Sequence, residues 1–146
     1  MNHIKRWQNI SNITMDKSSI LKAYNKLFFD FMDDIITVYP TKEIKYAKEQ
    51  FEFIKKANPT IIIKCWKKDI YDKYHDQIEQ KDITFFIEKD YRADLIIDEQ
   101  TTRKVLDIIE TIRSTIRDMD EKNREHCAEY IINLSKLSLI YDNLTK

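Results

Sequence analysis

The chain has 146 residues, of which 42% are hydrophobic and 34% are charged, and its basic and acidic side chains balance to a net charge of zero. This length and composition suit a single folded domain over residues 1–146, and they exclude a disordered tail. The balanced charge gives no reason to expect a polyanionic partner for the chain as a whole.

Glycine is absent from the whole sequence. Loops that cradle phosphates need glycine so that the backbone can approach the ligand, which excludes the P-loop and the dinucleotide-binding turn. Tight β-hairpins also favour glycine, because their turns require positive φ angles. We therefore predict an all-α fold, a single-domain helical bundle of five or six helices.

The opening segment, residues 1–14, is polar but carries Trp7, Ile10 and Ile13 at a spacing of three. We predict a short helix or a loosely ordered arm here. The segment lacks the apolar run of a signal peptide, and no stretch of the chain approaches the roughly 20 apolar residues that a membrane span needs. We therefore expect a cytoplasmic protein that does not contact a membrane.

The first long helix is predicted from about Ser18 to Val38. Asp16 or Ser18 can cap its start, and Pro40 ends it because the residue before a proline disfavours the helical conformation. Its apolar stripe is wide enough to lie deep in the core. The stripe comprises Leu21, Tyr24, Phe28, Phe31, Ile35 and Val38, widened by Leu27, Met32 and Ile36.

Two further helices are predicted to follow. Thr41 caps a helix over about Lys42–Ala57, and the solvent-exposed face of this helix is rich in lysine and glutamate. Asn58 is then the predicted N-cap of a third helix that ends near Glu79, with Pro59 at its first helical position.

Trp66 is the predicted core anchor of the third helix. It shares one face with Ile63, Ile70 and Tyr74 at helical spacing. The isoleucines at 61–63 also fit a short buried strand, since β-branched runs favour strands. We prefer a helix because the periodic pattern continues through five turns.

Residues 82–98 hold two short apolar runs, at 83–87 and 95–97. The first fits a short helix capped by Asp82, and both fit short strands. A pair of short strands alone makes a marginal sheet. We predict a short helix followed by a buried connector.

The last third of the chain is predicted to be an antiparallel helical hairpin, with a polar turn at 120–123 between its two helices. Each helix has a heptad-like seam of apolar residues. The seams are Val105, Ile109, Ile112, Ile116 and Met119 in the first helix, and Cys127, Tyr130, Leu134, Leu137, Tyr141 and Leu144 in the second.

The second helix of the hairpin is apolar beyond its seam, at Ile131, Ile132, Leu139 and Ile140. A helix with so wide an apolar arc needs a second covering surface. The first long helix can cover it within the chain. Alternatively, Ile132 and Leu139 join two copies of the chain as a homodimer, or this face docks a different protein.

Few residues could bind a metal ion. The three histidines are His3, His75 and His126, and none has a second histidine or cysteine three or four positions away. Cys65 and Cys127 are interpreted as buried, reduced side chains. We predict no metal site and no cofactor.

Asp30, Asp33 and Asp34 cluster near the end of the first helix. Such carboxylates could bind Mg²⁺ if another carboxylate converged on them. The alternative is a solvated acidic flank that Lys22 and Lys26 balance. A catalytic triad can be assembled from distant residues, but the GxSxG elbow requires glycine, so we predict that the protein is not an enzyme.

The best candidate interaction surface lies on the third helix. We name it the lysine flank: Lys64, Lys67, Lys68, Tyr71 and His75 share one side of the Trp66 stripe. Basic groups beside an aromatic ring can hold phosphates and stack a base. An acidic row on the opposite side, Asp69, Asp72 and Asp76, opposes such a partner. An ordinary mixed-charge surface around a core tryptophan is the other interpretation.

Several short segments of the sequence resemble segments of small uncharacterised proteins of large nucleocytoplasmic DNA viruses. They are FFDFMDD at 28–34, YP at 39–40, ANP at 57–59, CWK at 65–67 and FFIEKDY at 85–91. The resemblance implies a viral origin and a virion or host-cytoplasm setting, and it carries no catalytic motif. We predict a non-enzymatic structural or protein-interaction module that binds another protein or itself, with nucleic-acid binding through the lysine flank as the alternative.

Overall fold

The structure, a computed structural model, describes residues 16–88 and 100–145, with side chains from 103 onward in the second range. These residues form six helices and no strand, which confirms the all-α prediction. The expected N-terminal arm, the connector at 89–98 and His3 lie outside the described residues. The helices are α1 (Lys17–Val38), α2 (Lys42–Ala57), α3 (Ile61–Trp66, continued by Lys67–Tyr71 and Asp72–Glu79), α4 (Thr84–Glu88), α5 (Gln100–Arg117) and α6 (Glu121–Thr145).

The starts of α1 and α2 are fixed by side-chain caps, as predicted. A carboxylate oxygen of Asp16 accepts a hydrogen bond from the Ser19 amide at 2.9 Å, and the Thr41 hydroxyl accepts one from the Ile44 amide at 3.2 Å. Each cap satisfies a backbone donor that has no partner inside its helix.

The start of α3 differs from the prediction. The helix begins at Ile61, and Asn58 and Pro59 form a turn before it. The Asn58 side chain accepts hydrogen bonds from the amide and the hydroxyl of Thr60, so it closes that turn instead of capping a helix at Pro59. Residues 61–63 are helical, so the strand alternative was wrong.

The middle of α3 is irregular. Lys67–Tyr71 forms a π-helical turn, and Tyr74 has non-helical backbone angles that kink the segment after it. A π turn inserts one extra residue and so rotates the side chains on either side of it relative to each other. Of the predicted stripe, Ile63, Trp66, Ile70 and Ile78 are nevertheless fully buried, and Tyr74 is half-buried.

The predicted short helix is present as α4, and Asp82 caps it by accepting from the Thr84 amide at 3.0 Å. The turn from α3 to α4 places Lys81 at a φ of 60°. Glycine and asparagine adopt this left-handed conformation most readily, and in this chain without glycine a lysine adopts it.

Trp66 lies at the centre of one continuous core and is fully buried, as predicted. Its indole Nε1 donates to the Ser135 hydroxyl at 2.9 Å, which links α3 to α6. Its ring meets Phe28 edge-on at 6.1 Å between centroids and lies 6.0 Å from Phe86. The tryptophan therefore joins α1, α3, α4 and α6 in one packing unit.

The two C-terminal helices find their main partners elsewhere in the chain. Residues 118–120 link them, but α6 packs to a similar extent on α1 and on α3, whereas α5 packs mainly on α2, with a small contact between α5 and α6. The predicted seam residues are buried except Tyr130, which is half-buried, and Leu144, which is exposed. The seams are real, but they mostly face other helices instead of each other.

Helices α1 and α6 run antiparallel. At one end, the Lys17 amine lies 5.4 Å from the ring centroid of Tyr141. At the other end, Asp34 lies 3.4 Å from the His126 imidazole. The start of α1 therefore faces the end of α6, and the end of α1 faces the start of α6.

Candidate functional site

The structure brings the three lysines of the lysine flank to a shallow cavity of about 440 Å³ between α3 and the end of α6. Lys67 is central there, and its amine contacts Asp72 at 2.5 Å and Asp142 at 3.5 Å. Burial alone would lower the pKa of Lys67, but the two carboxylates outweigh that effect and raise it. The most enclosed lysine of the flank is thus already neutralised within the chain.

The aromatic end of the flank is also engaged. The rings of Tyr71 and His75 lie 6.0 Å apart in a tilted arrangement, and Nδ1 of His75 lies 3.0 Å from the carboxylate of Asp76. Lys64 and Lys68 are exposed. The lysine flank is therefore a mixed-charge surface with two exposed cations.

The aspartates of α1 point to three different partners. Asp30 pairs with Lys26 at 3.2 Å, and Asp33 pairs with Lys48 of α2 at 2.5 Å. Asp34 accepts a hydrogen bond from the Tyr130 hydroxyl of α6. Among residues 16–88 and 103–145, no three histidine, cysteine, aspartate or glutamate side chains gather as a metal site would require.

An open groove of about 610 Å³ runs between α1 and α6. Its lining is mainly apolar, with Ala23 and Leu27 from α1 and with Tyr130 and Leu137 from α6. Concave surfaces that combine apolar side chains with a few polar groups are typical of sites that a ligand or a partner covers. We name this feature the α1–α6 groove.

Charged side chains border the groove and differ between its ends. Lys22 lies towards the start of α1, whereas Asp30 lies towards its end. Because α1 and α6 are antiparallel, Glu129 and His126 of α6 lie at the same end as Asp30. Lys26 is paired with Asp30, which leaves a basic end at Lys22 and an acidic end at Glu129.

Tyr130 closes the acidic end of the groove. Its ring stacks on Phe31 with centroids 4.9 Å apart, and its hydroxyl donates to Asp34. Burial, followed by the hydrogen bond and the negative charge of Asp34, raises the pKa of the Tyr130 phenol well above its usual range. This end is therefore held rigidly by contacts between α1 and α6.

Asn133 is an uncharged polar residue that lines the groove. It is 9% exposed, and within the described part of the chain its carboxamide makes no hydrogen bond. A carboxamide offers two donors and an acceptor, which a polar group of an occupant of the groove can use. Asn133 was not predicted from the sequence, although a lone asparagine between Ile132 and Leu134 was a visible signal.

The two residues predicted for self-association have different positions. Ile132 is 8% exposed and belongs to the core, so little of its side chain is accessible to a second copy, and self-association through Ile132 and Leu139 stays a prediction. Helix α1 covers α6 within the chain, which was the alternative interpretation. Leu139 is half-buried and lies outside the main core cluster.

No family model matches the chain, and neither a curated protein nor a solved structure is significantly similar to it. The resemblance to viral proteins therefore stays a prediction. Within the described residues, none of the helices has the length and apolar character needed to cross a membrane.

Proposed function

We propose that the chain is a non-enzymatic protein-interaction module that holds a helix of a partner protein in the α1–α6 groove. The observation that carries this proposal is the groove itself, an opening of about 610 Å³ with an exposed apolar lining between α1 and α6. Covering its apolar lining would release water and so favour binding.

The shape of the groove supports a helix as the occupant. Its lining residues on α1 fall at positions 19, 22, 23, 26, 27 and 30, and those on α6 at 126, 129, 130, 133 and 137. Both rows follow the three- and four-residue spacing of ridges on a helix surface. Each row spans about 16 Å of helix axis, which matches three turns of a third helix.

The lysine flank supports nucleic-acid binding less well than the groove supports docking of a helix. Its central cation already contacts two carboxylates, Asp72 and Asp142. A phosphate would have to compete with those contacts.

A selection from a displayed library of amphipathic helical peptides tests the proposal. We expect enriched peptides to bind the full chain in a fluorescence anisotropy assay and to lose binding to Leu27→Glu, which places a charge in the apolar lining. Tyr46→Glu is the matched control, because Tyr46 is 62% exposed on α2, away from the groove. A circular dichroism melt checks that each variant folds.

A second groove variant covers the case in which Leu27→Glu unfolds. Ser19 is exposed and lines one end of the groove, so Ser19→Trp should obstruct it without disturbing the core. The proposal is overturned if selection enriches no peptide, or if enriched peptides bind the folded groove variants as tightly as the unchanged chain.

A further inference from the structure

We infer that the α1–α6 groove selects a partner helix that has acidic residues in its first turn, basic residues in its last turn and one amide side chain at the centre of its apolar stripe. This inference rests on the proposed function and specifies the chemistry of the partner. Charge complementarity along the groove and the carboxamide of Asn133 carry it.

The ends of the groove carry opposite charges. Lys22 and Glu129 are both exposed, and neither makes an ion pair within the described ranges 16–88 and 103–145. A partner with an acid near Lys22 and a base near Glu129 meets an opposite charge at each end, while the reverse order meets two like charges.

The direction of the partner helix follows from its own dipole. Isolated helices are stabilised by acids at the N-terminus and by bases at the C-terminus. The stable order of charges therefore places the first turn of the partner near Lys22 and its last turn near Glu129. Such a helix runs parallel to α1 and antiparallel to α6.

Asn133 sets the register of the partner. Asn133 lines the groove between Tyr130 and Leu137 of α6. A glutamine or asparagine from the partner can donate to its carboxamide and accept from it at once. A single polar pair within an apolar helix interface fixes one register, because any shift leaves both amides unpaired.

The first experiment measures the affinity of the full chain for two synthetic helical peptides with a leucine stripe and a central glutamine. One peptide has glutamates in its first turn and lysines in its last turn, and the other has these charges exchanged. We expect the first peptide to bind about fivefold more tightly, since exposed ion pairs have modest effects. The double variant Lys22→Glu/Glu129→Lys should reverse that preference.

The matched control is Lys45→Glu/Glu49→Lys, which makes the same exchange between two exposed residues of α2. It should leave the preference of the unchanged chain intact. Equal binding of both peptides, or a preference that the groove exchange does not reverse, overturns the charge rule.

The second experiment replaces the central glutamine of the peptide with leucine. The unchanged chain should prefer the glutamine peptide, and Asn133→Leu should prefer the leucine peptide. If both proteins prefer leucine, the register role of Asn133 is overturned.

Different results would overturn the proposed docking function and the inferred chemistry of the partner helix. If peptides bind in a manner that Leu27→Glu abolishes but ignore charge order and the central amide, the docking function stands and the inference about the partner falls. If no peptide binds in a manner that depends on Leu27, both fall together.

Discussion

Two surfaces beside α6, the lysine flank and the α1–α6 groove, differ in whether their central side chains already have partners within the chain. The cavity at the lysine flank measures about 440 Å³ and the α1–α6 groove about 610 Å³, so their sizes are comparable. In the first, Lys67 contacts two aspartates and needs no ligand for its charge. In the second, apolar side chains and the Asn133 carboxamide border open space.

The comparison shows why a row of lysines is weak evidence for a binding site. The three lysines lie close in sequence and were visible at once, but Asp142 lies more than 70 residues away and its approach depends on how α6 packs. A charge pattern on one helix says nothing about the charges that neighbouring helices bring to it. An unfilled groove is likewise a property of two helices and not of either alone.

The largest change in stability is expected from a substitution in the core that supports both surfaces. Trp66→Ala should lower the free energy of unfolding by about 3–5 kcal/mol, because it leaves a cavity and removes the hydrogen bond to Ser135. Urea denaturation followed by circular dichroism measures this loss. Trp66→Phe keeps most of the volume and should lose less. An unchanged midpoint for Trp66→Ala would mean that the indole is exposed.

The next expected effect compares a buried and a half-buried residue on the same side of α6. Ile132→Ala should cost about 2–4 kcal/mol because Ile132 is buried in the core. Leu139→Ala should cost less than about 1 kcal/mol if the half-buried Leu139 faces solvent. Light scattering after size exclusion completes the test. A dimer that Leu139→Asp converts to a folded monomer would support the predicted self-association through Leu139.

Local rules predicted much of the fold. The caps at Asp16, Thr41 and Asp82 and the bounds of α2 were correct because they depend on neighbouring residues. The start of α3 was wrong by two residues, because Asn58 favoured a turn over a cap. Local sequence could not predict the partners of α5 and α6. Heptad-like seams show that two helices have apolar faces without showing which faces meet.

The groove was less predictable than the helices. Leu27 was assigned to the apolar stripe of α1, and Tyr130 and Leu137 to the seam of α6, so the residues were known but not the space between them. The fit between two helices depends on the volumes of the side chains that separate them, and small residues such as Ala23 leave room.

A smaller change in stability is expected from a substitution at the acidic end of the groove, which Tyr130 closes. Tyr130→Phe should cost about 1 kcal/mol at neutral pH through loss of the hydrogen bond to Asp34. The pKa of Tyr130 is raised in the folded chain, so its contribution is complete below about pH 10, the usual tyrosine pKa, and is lost as the pH rises through the folded value. The difference between the two proteins should therefore shrink above about pH 10.

Chemical denaturation at neutral pH and again at alkaline pH measures that difference. The exposed Tyr46 supplies the control, because Tyr46→Phe removes a hydroxyl that makes no hydrogen bond within the described helices. A stability difference for Tyr130→Phe that grew with pH would contradict the assigned contact with Asp34.

The smallest effect concerns the lysine flank. Lys67→Met should change the free energy of unfolding by less than about 1 kcal/mol, since ion pairs with partly exposed partners contribute little, and Lys64→Met should change it still less.

A gel shift with single-stranded DNA at low salt then tests the lysine flank as a binding surface. Because Asp72 and Asp142 neutralise Lys67, we expect no shift that depends on Lys64, Lys67 and Lys68. A salt-dependent shift that disappears when these three lysines are changed to glutamate would reverse the comparison, because the lysine flank would then bind a ligand despite its internal ion pairs.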